Sequence, residues 1–238
     1  MAQITPLTIA GVILGGFLPA LLWLWFWLKE DPHPEPRRTL VMSFLLGMAA
    51  VPVALLLEYV LYRTLAKLGA VRAGEFSNLF LLFGWAFIEE GMKLLTAWWA
   101  DLKRSVYDEP VDAMIYLITV ALGFSALENM LFLTNGLGDG ALQNLVTANL
   151  RFFGATLLHT VTAGAMGAAI AFSFFHKEHR WKNILGGVIL ATGLHWAFNA
   201  LIMKSGPSGL LQTFSAVWAL VIVLIFIFER VKKLKAIS

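Results

Sequence analysis

Two adjacent glutamates and a lysine interrupt an apolar stretch of this sequence. Glu89, Glu90 and Lys93 lie in LFGWAFIEEGMKLLTAWW (81–98), which otherwise has the composition of a membrane-crossing helix. A charged side chain at the bilayer centre costs about 2.5–3.5 kcal/mol on insertion scales, so charges that are kept there usually serve a function. Glu89 and Lys93 are four residues apart and share a helix face, which also suits a structural ion pair. One lysine cannot neutralise two carboxylates, so we expect one glutamate to be restrained by Lys93 while the other faces a reaction partner.

Three further apolar stretches carry hydrogen-bonding or titratable side chains. They are Glu128 and Asn129 in GFSALENMLF, Arg151 and His159 in RFFGATLLHTVTAGAMGAA, and His195 and Asn199 in GLHWAFNAL. Each of these side chains alone would also suit a hydrogen bond between helices. Glu58 is left out of this group because it lies close to the predicted end of its own apolar stretch. Counted at about 1.5 Å per residue from the predicted helix ends, the glutamates and histidines reach a similar depth in the outer half of the membrane. This agreement across four helices indicates a shared site.

Carboxylates together with imidazoles favour the activation of water. Glu89 or Glu90 is the candidate base, and Asn199 or Asn129 could donate to a developing oxyanion. Two histidines with a carboxylate also match the smallest ligand set of a catalytic zinc ion, which makes zinc the candidate cofactor. The candidate ligands are His159, His195 and Glu128, and the supporting residues are Lys93, Asn129 and Arg151. The chain has no cysteine, no G-x-S-x-G elbow and no H-E-x-x-H motif, so the residues favour hydrolysis of an amide within or at the rim of a bilayer.

The composition is that of a polytopic membrane protein. Of the 238 residues, 59% are hydrophobic and 14% are charged, against about 45–50% and about 25% in soluble domains. Mean hydropathy is +0.75. We predict an all-α fold of about seven transmembrane helices, in one integral membrane domain over 1–238, with a polar catalytic core formed by spans three to six. The predicted spans lie near 6–28, 39–61, 79–100, 111–134, 152–175, 184–203 and 210–228, and the connector 62–78 could hold an amphipathic piece on the membrane surface.

The basic residues predict the orientation of these spans. The connectors on one side, together with the carboxyl-terminal tail, hold twelve lysines and arginines, and the connectors on the other side hold four. The positive-inside rule then places the carboxyl terminus in the cytoplasm and the amino terminus outside, for a multi-pass protein of the plasma (inner) membrane. Since basic residues serve this purpose, a pI near 9.2 is no sign of nucleic-acid binding, and the bilayer is the expected partner.

Four short motifs, in order, resemble those of the PrsW family. They are EEGMK (89–93), FSALEN (124–129), the histidine of LLHTVTAG (157–164) and HWAFN (195–199). That family is related to the CAAX prenyl endopeptidases and bacteriocin-processing enzymes, and the resemblance covers a motif-bearing core of about 80–200. Ala113 and Met114 stand where many members have glycine and isoleucine, and Asn199 stands where others have aspartate.

The resemblance implies an intramembrane endopeptidase, usually classed as a metalloprotease. PrsW-like proteins cut the extracytoplasmic segment of a membrane-anchored anti-sigma factor and so start a stress response, which implies a single-span membrane protein as substrate. Carried over by motif, Glu89 and Glu90 match the paired glutamates, Glu128 the second motif, His159 the third, and His195 with Asn199 the fourth.

Three alternatives stay open at this point. A peptidase of the same superfamily would act on prenylated or leader-bearing peptides. A proton- or ion-coupled transporter or channel would use the same side chains as a relay, although it would be expected to show inverted repeats, and we find none in the sequence. A non-catalytic scaffold, as in the structural subunit of gamma-secretase that this superfamily resembles, would tolerate Glu89→Gln and His195→Ala.

Overall fold

The computed structural model describes residues 5–72, 74–135, 154–204 and 207–235, without the side chains at 204 and 207–210. Over these ranges the chain forms seven α-helices and no β-strand, which confirms the all-α class. They are α1 Pro6–Leu28, α2 Arg37–Lys67, α3 Leu79–Ala97, α4 Asp112–Asn135, α5 Thr156–Ala171, α6 Arg180–Lys204 and α7 Pro207–Val231. Arg151 lies outside the described residues.

Five of the described helical segments are long and apolar enough to cross a membrane: Pro6–Leu28, Arg37–Lys67, Asp112–Asn135, Lys177–Met203 and Leu211–Val231. This confirms a multi-pass membrane protein. The helix α3 falls outside that set because it carries three charged side chains, and α5 because it has only 16 residues. The count of seven spans therefore stays a prediction.

Several helix boundaries differ from those predicted by a few residues. The fifth helix ends at Ala171 instead of near 175, and the sixth begins at Arg180 instead of near 184. The helix α2 continues to Lys67, so residues 62–67 extend a long helix instead of forming a separate surface piece. The α-helical part of α3 ends at Ala97, and a π-helical turn, Trp98–Leu102, follows it. At the start of α3, the Asn78 side chain accepts from the backbone N–H groups of Phe80 and Leu81 at 3.0 and 3.2 Å and so caps the helix.

The helix α4 is the centre of the bundle. It is buried almost without interruption from Asp112 to Ala126, as expected of a helix that is apolar on all sides. Its neighbours α1, α2 and α5 pack along it. A Cβ atom on Gly47 would lie 2.1 Å from the carbonyl oxygen of Val120, and one on Gly123 would lie 2.0 Å from that of Phe44. The backbones of α2 and α4 are therefore in direct contact, and only glycine permits this at the two positions.

The small residues around His159 also allow close packing. A Cβ atom on Gly167 would lie 2.6 Å from the Cα of Met114, so α5 packs directly on the first turns of α4. The helix α6 packs against α5 and α3, and α3 packs against α2. The helices α2 to α6 thus surround a shared interior that holds His159, which is 2% exposed.

Candidate active site

Glu90 and Lys93 form a fully buried ion pair at the centre of the polar cluster. One carboxylate oxygen, Glu90 Oε1, accepts from Lys93 Nζ at 2.7 Å, from His195 Nδ1 at 2.7 Å and from Thr162 Oγ1 at 3.1 Å. This single oxygen joins α3, α5 and α6. The lysine therefore restrains Glu90 at i−3, and not Glu89 at i−4 as the shared-face pairing suggested.

The hydrogen bonds fix the tautomers of both histidines. An ionised carboxylate only accepts, so His195 Nδ1 carries the hydrogen that Glu90 receives, and in neutral His195 the Nε2 lone pair is free. An ammonium only donates, so His159 Nδ1 accepts from Lys93 Nζ at 2.6 Å. His159 Nε2 then carries the hydrogen and donates to Glu128 Oε2 at 2.8 Å. Lys93 and Glu90 thus set the orientation of both imidazoles.

Glu89, His159 and His195 converge from three helices. Each offers one ligand atom, and the three atoms lie within 4.8 Å of one another. His195 Nε2 is 3.9 Å from Glu89 Oε2, and the two imidazole centroids are 5.3 Å apart with perpendicular planes. Such separations are those of groups that share one bridging water molecule. The structure therefore brings together the carboxylate and imidazole residues that the sequence motifs singled out.

A cavity of about 500 Å³ opens beside this cluster, between α2, α3, α4, α5 and α6. Its volume is within the roughly 300–1,000 Å³ of small-molecule sites. Most of the lining is apolar. The titratable and amide side chains of the lining are Glu58, Glu89, Glu128, His159, His195 and Asn199, with Asn135 at the rim. Glu90 and Lys93 do not line the cavity, so Glu89 is the member of the glutamate pair that a substrate can reach.

Glu58 is the functional candidate that the sequence analysis passed over. It was set aside as lying close to the end of a helix at 61, but α2 continues to Lys67, and Glu58 faces the cavity. Its carboxylate has no hydrogen-bonding partner within the described ranges, and its backbone carbonyl accepts from Trp85 Nε1 at 3.3 Å. The absence of glycine and proline between Pro52 and Gly69 was the signal that the helix is longer.

The two asparagines occupy different environments. Asn199 lies one helical turn from His195 and lines the cavity. Asn129 is fully buried between α4 and α5, where its Nδ2 donates to Thr156 Oγ1 at 3.0 Å and to Ser125 Oγ at 3.4 Å. Asn199 is thus the asparagine placed to meet a substrate, and Asn129 joins two helices.

A metal ion fits part of this donor set without rearrangement. Glu89 Oε2 is buried and has no hydrogen-bonding partner among the described residues. His195 presents its free Nε2 while Glu90 holds its Nδ1–H, which is the carboxylate–histidine arrangement that orients ligands in many metal sites. His159 Nε2 can bind a metal only after it loses its hydrogen and its hydrogen bond to Glu128. The group within ligand distance contains Glu89 where the sequence analysis had Glu128, and Glu128 contacts His159 directly.

Several known proteins align with about four fifths of this chain. Protease PrsW of Bacillus subtilis (strain 168) is 29% identical over 197 residues, 80% of this chain and 82% of the relative. Protease PrsW of Geobacillus kaustophilus (strain HTA426) is 28% identical over 194 residues, which are 81% of this chain and 80% of the relative. Protease PrsW of Clostridioides difficile (strain 630) is 26% identical over 195 residues, which are 81% of this chain and 79% of the relative. No solved structure matches the chain at a significant level.

The family comparison covers the region that holds the four motifs. The model described as PrsW family intramembrane metalloprotease matches residues 35–228, which begin before α2 and end within α7. The match includes every helix that lines the cavity. Since it spans well over half of the sequence, the chain belongs to the PrsW family.

Proposed function

We propose that this protein hydrolyses a peptide bond of a membrane-anchored substrate by means of water held between Glu89 and the two histidines. The observation that carries the proposal is the convergence of Glu89, His159 and His195 within 4.8 Å on the wall of a cavity. A structural ion pair would not need a cavity beside it. Glu90, which binds three donors and does not line the cavity, serves as the support.

The proposed reaction uses the unpartnered oxygen of Glu89 as the base. Glu89 Oε2 takes one proton from the water while the water oxygen bonds to the carbonyl carbon of the substrate. His195 Nε2 accepts the second hydrogen of that water and so orients it. The Asn199 amide donates to the oxyanion as negative charge develops. Glu89 then returns its proton to the amide nitrogen as the carbon–nitrogen bond breaks, which yields a carboxylic acid and an amine.

A zinc ion is the cofactor that this donor set suits best, with Glu89, His195 and His159 as its ligands. When bound, it would polarise the substrate carbonyl and lower the pKa of water. Glu128 would then be the carboxylate left to take the proton, because it lines the same cavity. Glu90 keeps His195 Nε2 available in either arrangement.

The position of the site along the helices supports cleavage near the extracytoplasmic side. Glu128 lies seven residues before the end of α4 and sixteen after its start, and His159 is in the first turn of α5. The opposite end of the bundle holds Arg104 and Arg180, where two basic connectors meet. The positive-inside rule assigns that basic end, and the carboxyl terminus, to the cytoplasm of a plasma-membrane protein. The proposed substrate is accordingly the extracytoplasmic segment of a single-span protein of the anti-sigma-factor type, whose cleavage would start a stress response.

The test is cleavage of single-span substrates by the purified protein in detergent. We expect His195→Ala and Glu90→Gln to abolish cleavage, whereas His176→Ala, in an exposed connector, keeps it. Persistent cleavage in both site variants would reject the proposal. Two results together would select the metal route. A chelator should abolish activity and zinc should restore it, and the wild type should contain one zinc ion per chain that His195→Ala lacks. Full activity in chelator selects Glu89 acting without metal.

A further inference from the structure

A second cavity lies at the end of the bundle opposite to the candidate active site. It has a volume of about 510 Å³ and is formed where the connector between α3 and α4 meets the connector between α5 and α6. Four basic side chains line it: Lys103, Arg104, Lys177 and Arg180. Among the described residues that form its walls, none is acidic. Four cations around one cavity favour an anionic ligand.

Two carboxylates, Asp101 and Glu178, flank the lining residues in the sequence, and both have partners outside the lining. Asp101 also attracts one lining cation, Arg104. Asp101 accepts from Ser43 Oγ at 2.8 and 2.9 Å on its two oxygens, and it is fully buried. Glu178 lies beside His176 at 3.4 Å and His179 at 3.8 Å, on the exposed side of the connector. Since the described lining contains four cations and no carboxylate, its net charge stays positive beside Asp101.

One of the four cations is held rigidly. Arg180 donates from Nη2 to the carbonyl oxygen of Leu102 at 3.3 Å, and its guanidinium carbon lies 4.8 Å from the Trp98 ring centroid. The remaining guanidinium donors can bind a planar set of oxygens such as those of a phosphate. Arg104 and Lys177 are exposed and can adjust to the ligand.

The surroundings place this cavity at the level of lipid headgroups. Trp99 is 62% exposed and Trp181 is 72% exposed, and tryptophans concentrate at the membrane–water boundary. Lys103 Nζ lies 3.1 Å from the Trp99 ring centroid, as expected where cations and indoles share this layer. Ile170, Phe174 and Phe175 give the cavity an apolar wall beside its cationic one. A ligand that satisfies both walls is an amphiphile with a phosphate group.

We propose that this cavity binds the phosphate headgroup of an anionic phospholipid, with the glycerol and the first part of an acyl chain against Phe174 and Phe175. Under the orientation given above, the lipid comes from the cytoplasmic leaflet, where anionic lipids attract basic clusters. A soluble phosphate shares the charge but would leave the apolar wall in contact with water. The bound lipid would join the α3–α4 connector to the α5–α6 connector.

The test compares phosphatidylglycerol, phosphatidylcholine and inorganic phosphate added to the purified protein in nonionic detergent. The readouts are the unfolding temperature and the lipid retained in native mass spectrometry, neither of which depends on proteolysis, so this proposal can fail while the protease assignment stands. We expect phosphatidylglycerol to be retained and to raise the unfolding temperature, and the other two to have much smaller effects. The variant Arg104→Gln with Lys177→Gln removes two exposed cations and should weaken phosphatidylglycerol binding by about fivefold per cation, or about 25-fold in total.

The matched control is Arg37→Gln with Arg38→Gln, which removes two exposed cations from the same predicted side of the membrane. It should retain phosphatidylglycerol as the wild type does. An equal loss in the control would show that general surface charge attracts the lipid and would overturn the proposal. Equal protection by inorganic phosphate would overturn the lipid assignment, and equal retention of phosphatidylcholine would overturn the charge argument.

Discussion

Two polar clusters lie near opposite ends of α4, and in both of them three groups come within 4.8 Å of one another. The first, here called the catalytic cluster, consists of Glu89, Glu90, Lys93, His159 and His195. The second, here called the connector cluster, consists of Asp31, Glu35, Asp108, Asp112 and Tyr116. The close groups are Glu89, His159 and His195 in the first, and Glu35, Asp108 and Asp112 in the second.

The connector cluster is largely satisfied by local hydrogen bonds. Asp112 Oδ2 accepts from the backbone N–H groups of Asp108 and Glu109 at 3.0 and 2.7 Å. Asp31 accepts from the backbone N–H groups of His33 and Glu35, and the Tyr116 hydroxyl donates to Glu35. These carboxylates fasten the α1–α2 and α3–α4 connectors to the start of α4.

The catalytic cluster keeps unused hydrogen-bonding capacity. Within the described ranges, Glu89 Oε2 and Glu90 Oε2 are buried carboxylate oxygens without a partner, and the connector cluster contributes none. Glu89 also borders a cavity, as do both histidines. Proximity of titratable groups therefore does not separate a reactive site from a structural one. Unpaired acceptors beside a cavity, with imidazoles of fixed tautomer, are the distinguishing features.

The largest expected effect is the loss of catalysis in Glu89→Gln. The amide cannot accept the proton of the attacking water, so the rate constant for cleavage should fall by about 10²–10⁴-fold, the usual contribution of a general base. The matched variant in the connector cluster, Asp112→Asn, leaves the cavity intact and should keep the wild-type rate. Cleavage rates of a single-span substrate measure both. Equal losses in the two variants would erase the distinction between the clusters.

Removal of the buried cation should be the next largest effect. Lys93→Met leaves Glu90 as an uncompensated buried charge, so we expect the free energy of unfolding to fall by about 3–5 kcal/mol. Lys232→Met breaks a partly exposed pair with Glu30, at 2.7 Å, and should cost less than about 1 kcal/mol. Denaturant titrations in detergent would compare them. Similar losses would mean that the buried pair has no special role.

A pH dependence at the connector end should be smaller. Burial raises the pKa of Asp101 to about 6, against 3.8 for a free aspartate, although Ser43 donates to its carboxylate. Between these values the folded protein holds a proton that the unfolded chain has released, so the free energy of unfolding falls as pH rises through this window. The titration of Asp101 lowers the free energy of unfolding by up to about 3 kcal/mol across this window. Asp101→Asn should remove this slope in unfolding curves at pH 4.5 and pH 7.5, and an unchanged slope would assign it to other carboxylates.

Sequence reasoning succeeded where the signal was local. The predicted stretches near 6–28 and 79–100 begin at the first residues of α1 and α3, because an apolar run is defined by neighbours along one helix. It failed at Glu58, where the helix end was placed six residues too early. The motifs placed Asn199 with the catalytic residues and Asn129 with the supporting ones. The structure adds the environment of each, with Asn199 on the cavity wall and Asn129 hydrogen-bonded to Thr156 between two helices.

The sequence by itself determined that the chain is a helical membrane protein of the PrsW type, with titratable residues on four apolar stretches. Only the tertiary structure decided that Lys93 restrains Glu90 and leaves Glu89 at the cavity. The two glutamates lie three and four residues before Lys93, and helical geometry allows either pairing. The choice follows from α5 and α6, which bring His159, Thr162 and His195 to the same few ångströms. Those contacts join residues far apart in the chain, and no local pattern specifies them.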